Sequence, residues 1–222
     1  GQTKTICVEV DIFMNYLRNP DEIYEASFKA ISKEVNLFKF PENLHSVVLR
    51  LVHAIAIPEI IDDIVWDGDV VGSARANLAK AAPIIVDANM VAAGIMKDRL
   101  PLNSEVKCFL NDDNVPALAK SLATTRSAAA VELWRPYLEG AIVSIGNAPT
   151  ALFHLIDMLD DATCPRPSVI LGFPVGFVGA AESKAYLIKK IVDIPYITLK
   201  GRIGGSALAA AAVNAMLLGD VA

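Results

Sequence analysis

Cysteine is scarce in this chain, and what there is does not pair. Cys7, Cys108 and Cys164 are odd in number and far apart, with no C-x-x-C, so neither a disulfide framework nor a structural zinc site is indicated. A reducing, cytoplasmic setting is expected. The three histidines, His45, His53 and His154, show no metal-ligand spacing with one another or with cysteine, so no metal site is expected. Long hydrophobic runs are also missing. The longest candidate, 207–218, contains Asn214 and falls well short of the roughly 20 apolar residues that cross a bilayer, so no membrane partner is expected. Positive charge is not massed anywhere: Lys and Arg total 20 against 25 Asp and Glu, for a net charge of −5 and a pI near 5.2, which disfavours nucleic acid. The opening residues, GQTKTICVEVDIFMNYL, lack the basic start and apolar core of a secretory leader, so none is read there.

The common phosphate and nucleophile motifs are absent too. There is no GxxxxGK[ST], the glycines at 172, 176 and 179 do not have GxGxxG spacing, and GGSAL at 204–208 lacks the flank of a nucleophile elbow and any histidine after it.

What is present is apolar and alternating. Hydrophobic residues make up 54% and the mean hydropathy is +0.43, an excess that buried strands, Ala-rich helices and a subunit interface would absorb. Without a composition break, the 222 residues read as one domain, with 1–15 as a β-prone arm, an edge strand if it pairs. From about residue 80, short apolar runs at 83–87, 106–110, 141–146, 168–173 and 196–200 read as strands. Helical runs near 88–98, 114–123, 126–139, 148–160, 179–192 and 205–218 lie between them. That alternation predicts an α/β fold in three layers, with a mainly parallel sheet covered on both faces. Ahead of it, PDEIYEASFKAISKEV from Pro20 reads as a helix, and PEIIDDIVWDGD from Pro58 as an acidic segment. Asp62 and Asp63 there point apart on a helix and fit a solvated face better than an acid pair.

The stretch 41–58, PENLHSVVLRLVHAIAIP, carries the most chemistry. Leu44, Val47, Val48, Leu51 and Ile55 share one helix face between two prolines, while Arg50 and His53, three apart, share another. A histidine in such a helix is ordinarily a core residue bonded to a carbonyl, with the arginine snorkelling outward, and this stretch alone does not decide otherwise. Three loops at predicted strand exits shift the balance. IGNAPTALF, GFPVGFVGAAE and KGRIGGSAL place glycines before helix starts, where backbone can approach a ligand and free N–H groups attract anions. A histidine, placed arginines and anion-binding loops, without nucleophile or metal, suit acid–base rearrangement of an anionic substrate with no cofactor.

Taken together, Y-x-x-SF at 24–28, RLVHA at 50–54, NMVAAGI at 89–95, TTRSAAAVELW at 124–134, IGNAPTALFHLIDML, GFPVGFVGAAESK and GRIGGSALAAAAVNAM resemble the precorrin-8X methylmutase family from about residue 16 onward. The resemblance implies a flavodoxin-like α/β fold, a homodimer, and an isomerisation that moves a methyl group from C-11 to C-12 of a corrin precursor, a tetrapyrrole polycarboxylate. It implies His53 as the catalytic residue and Ser27, Arg50 and Arg126 as substrate contacts, with the glycine loops holding carboxylates. Read from its residues alone, Ser27 is a helix serine of little weight, of the kind that is solvated or bonded back to the preceding turn. A histidine flanked by Ala54 and Ile55 is expected in a poorly hydrated pocket. The competing readings are a corrinoid carrier without turnover and, less in keeping with the missing motifs, a nucleotide-binding α/β enzyme.

Overall fold

The computed structural model describes residues 15–219. The arm over 1–15 therefore lies, but for its last residue, outside the described part.

Six short strands form one sheet: β1 (Ile64–Asp67), β2 (Ile84–Val86), β3 (Val106–Cys108), β4 (Ile142–Ile145), β5 (Val169–Gly172) and β6 (Tyr196–Leu199), in the order β1-β6-β5-β4-β2-β3. All neighbours are parallel except β1, which runs antiparallel to β6 with Ile64 opposite Leu199. Counting only the parallel strands, β3-β2-β4-β5-β6 is the order 2-1-3-4-5 of flavodoxin-like sheets.

The helices are α1 (Pro20–Glu34), α2 (His45–Ile55), α3 (Val70–Leu78), α4 (Asn89–Gly94), α5 (Val115–Ser121), α6 (Arg126–Glu132), α7 (Pro149–Leu159), α8 (Ala180–Lys190) and α9 (Ser206–Leu218). Strand residues alternate between two cores. Ile84, Val86, Ile142, Val169, Leu171, Ile197 and Leu199 face α2, α3, α4 and α9. Ile85, Val143, Ile145, Ile170 and Tyr196 face α6, α7 and α8. Because both faces are covered, the strands are apolar at nearly every position, which is why they stand out in the sequence as unbroken runs.

Two elements escaped the sequence reading. The acidic segment from Pro58 folds as a 3-10 turn, Pro58–Asp62, followed by β1, and α3 then starts at Val70 with the Asp69 carboxylate accepting from the Gly72 amide at 2.9 Å. Four residues that follow one aspartate and end in another carry too little local signal to announce a strand, and pairing with β6 supplies the rest. Two predicted helices are shorter than read. α4 stops at Gly94 because the Asn214 side chain donates to the Gly94 carbonyl at 3.0 Å and accepts from the Met96 amide at 2.9 Å. α6 stops at Glu132, and a separate 3-10 turn, Arg135–Tyr137, holds Pro136, which a continuing helix would exclude.

Candidate functional site

The strand order reverses between β2 and β4, and in open α/β sheets ligands gather outside such a switch point. Here that position is filled from within. Asp87 follows β2, is 3% exposed, and accepts from the amides of Gly146 (2.8 Å), Asn147 (3.0 Å) and Ala148 (2.7 Å) in the turn leaving β4. Burial holds the Asp87 carboxyl above its ordinary value, and the backbone donors offset this only in part. Ala148 caps α7 without a side-chain bond, so Asp87 serves that helix start from across the sheet. Gly146 leaves no room for a side chain: a Cβ there would stand 2.8 Å from the Ser206 Cα and from the side chains of Ala209 and Val91. The first glycine loop therefore spends its amides on the protein's own carboxylate. Sequence reasoning missed Asp87; an aspartate closing the wholly apolar run PIIVD was the available signal.

His53 reaches the same end of the sheet by another route. The Ser46 hydroxyl, at the start of α2, donates to the Gly219 carbonyl just beyond α9 at 3.2 Å, so the two packed helices run antiparallel. α9 starts at the carboxyl ends of the strands, and the last turn of α2, with His53, points there too. The chain then passes through the Pro58–Asp62 turn to Asp63, whose carbonyl accepts from the Lys200 amide at 2.9 Å beside the end of β6.

The His53 ring is exposed in this chain, and its centroid lies 5.4 Å from that of Tyr24 and 5.3 Å from that of Phe28. The poorly hydrated pocket expected from Ala54 and Ile55 is thus not formed by the described residues. Ala54 and Ile55 pack toward the core, and the imidazole meets the aromatic face of α1 instead. Arg50 lies beneath it, with the guanidinium carbon 5.4 Å from the Phe28 centroid and its Nε buried without a hydrogen-bond partner. Burial lowers the Arg50 pKa, and the Tyr24 hydroxyl partly offsets this. Ser27 sits on α1 between the two aromatic positions, and its hydroxyl donates back to the Ile23 carbonyl at 2.8 Å. A groove of about 740 Å³ runs alongside, lined by Phe28, Lys29, Ser32, His45 and Leu49.

Ser27, Arg50 and His53 are thus gathered on the paired helices α1 and α2, whereas Arg126 is not with them. Arg126 begins α6, in the opposite helix layer, and its Nη2 donates to the Leu110 carbonyl (3.3 Å) and the Asn111 side chain (3.2 Å) in the segment leaving β3. Thr125 caps that helix, accepting from the Ala128 amide at 3.1 Å, and its hydroxyl shares a 2.8 Å hydrogen bond with that of Thr150 on α7.

The two remaining glycine loops interlock. Gly205 donates to the Phe173 carbonyl at 2.8 Å, Gly176 to the Arg202 carbonyl at 3.2 Å, and Val175 to the Asn147 carbonyl at 3.4 Å. Fully buried Lys184 on α8 donates to the Ile203 carbonyl at 2.6 Å; burial lowers its pKa from 10.5 to about 8, with Asp63 acting in the other direction. Among the described residues, no group of three or more His, Cys, Asp or Glu side chains is placed to hold a metal, and no helix is long and apolar enough to cross a membrane.

Residues 22–218 match the precorrin-8X methylmutase family. The chain is 50% identical to a precorrin-8X methylmutase of Pseudomonas aeruginosa over 203 residues, covering 91% of this chain and 97% of the relative. It is 34% identical to a cobalt-precorrin-8 methylmutase of Priestia megaterium, covering 89% and 87% respectively. The crystal structure of a precorrin-8X methylmutase from Thermus thermophilus superposes with a TM-score of 0.80 at 36% identity, covering 89% of this chain and 95% of that one.

Proposed function

The chain belongs to the precorrin-8X methylmutase family, whose members act as isomerases in cobalamin biosynthesis, and from that premise we propose how its residues divide the work. The reaction moves a methyl group from C-11 to C-12 of the corrin precursor. One carbon–carbon bond breaks and another forms within the same molecule, so no atom enters or leaves. His53 supplies or shares a proton with the macrocycle as the methyl migrates. A single positioned acid contributes on the order of 100- to 10,000-fold, and the rest of the acceleration comes from holding the ring in a reactive shape.

Arg50 and Arg126 offer forked donors to the substrate's side-chain carboxylates, and Ser27 turns its hydroxyl from Ile23 to the ligand. The observation that carries this reading is the exposed His53 imidazole at the strand-exit end, held against Tyr24 and Phe28 above an arginine with an unsatisfied Nε. The protein works as a homodimer. Support comes from Arg126, which occupies the helix layer opposite α2 in its own chain, so a second copy is what brings an arginine of this kind to His53. The free thiols of Cys108 and Cys164 suit a reducing cytoplasm.

The chain stands nearer in sequence to the relative named for the metal-free precursor than to the one named for its cobalt form, which favours the metal-free substrate. The test is to incubate purified protein with each form and follow the absorption spectrum. Conversion of metal-free precursor to hydrogenobyrinate supports the reading. Tight binding of both forms with no spectral conversion of either would make the protein a corrinoid carrier.

A further inference from the structure

We infer that Arg202 and Phe177 form a second substrate-gripping element, and that buried Lys184 is the positioning residue that holds it in place. The ligand's identity, a polycarboxylate macrocycle, rests on the methylmutase reading; the placement of the element rests on the loops leaving β5 and β6.

Lys184 is completely buried, and its bond to the Ile203 carbonyl is not accompanied by an ion pair among the described residues. An ammonium withdrawn from water for the sake of one loop carbonyl is costly, and what it secures is the path of that loop. Neighbouring contacts leave the loop little freedom. A Cβ on Gly204 would lie 2.3 Å from the Pro174 carbonyl oxygen and 2.5 Å from that of Phe173, while Gly201 and Gly205 hold φ angles of +83° and +123° that favour glycine.

The consequence of this fixed path is the presentation of Arg202. Its guanidinium carbon stands 4.9 Å from the centroid of the Phe177 ring, which is 85% exposed, and it makes no salt bridge among the described residues. A guanidinium resting on an aromatic plane keeps its fork of donors free for a carboxylate, and the ring beside it offers a flat apolar face. Val175, Gly176, Phe177, Arg202, Ile203 and Gly204 line a cleft of about 370 Å³, sized for a side-chain carboxylate of the substrate rather than for the whole ring. The same loop hangs from Asp63 through the Lys200 amide, on the segment that continues from α2, so it lies at the His53 end of the sheet.

The test measures product affinity by absorbance titration and steady-state turnover for the full chain and for Arg202→Gln, Phe177→Ala, Lys184→Met and the Lys184→Met/Arg202→Gln pair. Arg202→Gln raises Kd and KM ~10-fold or more with kcat little changed, as loss of a charge-assisted pair requires. Phe177→Ala acts in the same direction, less strongly. Lys184→Met also raises KM, and the double variant is no worse than Arg202→Gln alone, because the lysine acts only through the arginine's loop. A merely structural lysine gives effects that multiply, which overturns its positioning role. Should Lys184→Met fail to fold, Lys184→Gln, which keeps a neutral donor, takes its place in the cycle. Wild type that converts substrate while Arg202→Gln matches it in KM and Kd overturns the inference and leaves the methylmutase reading intact. Wild type that neither binds nor converts a corrinoid overturns both.

Discussion

At the switch point every polar group named has a partner. Asp87 satisfies three consecutive amides, its carboxylate is sealed from water, and Gly146 is packed too tightly to bear a side chain. At the corner where α1 meets α2 the opposite holds. α1 buries only Phe28, Ile23 and Tyr24 remain exposed, His53 faces solvent, and the buried Arg50 Nε has no acceptor. Both regions lie at the carboxyl ends of the strands, yet one is complete and the other waits for something. In the usual arrangement of this fold the switch point is where the ligand sits. Here the protein's own Asp87 carboxyl holds that ground, and the His53 imidazole stands at the periphery, open to solvent. A cradle already filled by the protein's own carboxyl contributes rigidity, whereas a buried donor without an acceptor, such as the Arg50 Nε, gains most when a carboxylate arrives.

The contrast is open to direct attack, and the largest effect is expected at the corner that holds His53. Replacing His53 by alanine is expected to lower turnover by ~100-fold or more while product affinity and melting temperature stay near wild type. Full activity in that variant would remove the imidazole from the chemistry. Next in size is Asp87→Ala, which strands the buried amides of Gly146 and Ala148 and the partly buried one of Asn147, at about 1–3 kcal/mol for each that finds no water. A fall in stability of about 3 kcal/mol or more in urea denaturation is the expected outcome. A stable Asp87→Ala that loses substrate binding would instead make the switch point the binding site and invert the comparison.

Arg50→Met removes the guanidinium, with its unsatisfied Nε and its Tyr24 contact, but keeps most of the packing on Phe28. Affinity for the corrinoid should drop ~10-fold with stability unchanged or slightly raised, as isothermal titration and thermal melting would report. A pH comparison sharpens the picture at Lys184. Its folded-state pKa of about 8 lies below the ordinary 10.5, so the cost of burying its charge is fully present below pH 8 and is relieved as pH rises from about 8 toward 10.5. Relative to Lys184→Met, wild type should therefore gain stability between pH 7.5 and 9.5; a constant difference between them would show the lysine is not depressed. The smallest effect is at Ser27. Its hydroxyl serves only its own helix turn in the free chain, so Ser27→Ala should shift stability by less than about 0.5 kcal/mol, leaving any loss of affinity attributable to substrate contact.

Much of the fold was legible because its signals are local. The runs at 83–87 and 168–173 are apolar throughout since both faces of the sheet are covered, and Pro149 at the start of α7 marks a helix start from sequence alone. β1 and α3 were not legible, since a four-residue run that ends in an aspartate becomes a strand only when β6 is beside it. The site divides in the same way. Arg50 and His53 fall on one helix face by spacing of three, so their proximity could be read directly. That Tyr24 and Phe28 supply the aromatic ground on which they rest depends on how α1 lies across α2.

By itself, then, the order of residues determined the alternation of strands and helices, the parallel character of the sheet and the pairing of Arg50 with His53, since each depends on neighbours within a few turns of chain. The tertiary structure alone decided that Asp87 would occupy the amides of a loop 59 positions away, that Arg126 would stand in the opposite layer from His53, and that Lys184 would be drawn under the β6 loop. Those outcomes are contacts between distant segments, fixed by how two cores pack on a common sheet, and local spacing carries no information about them.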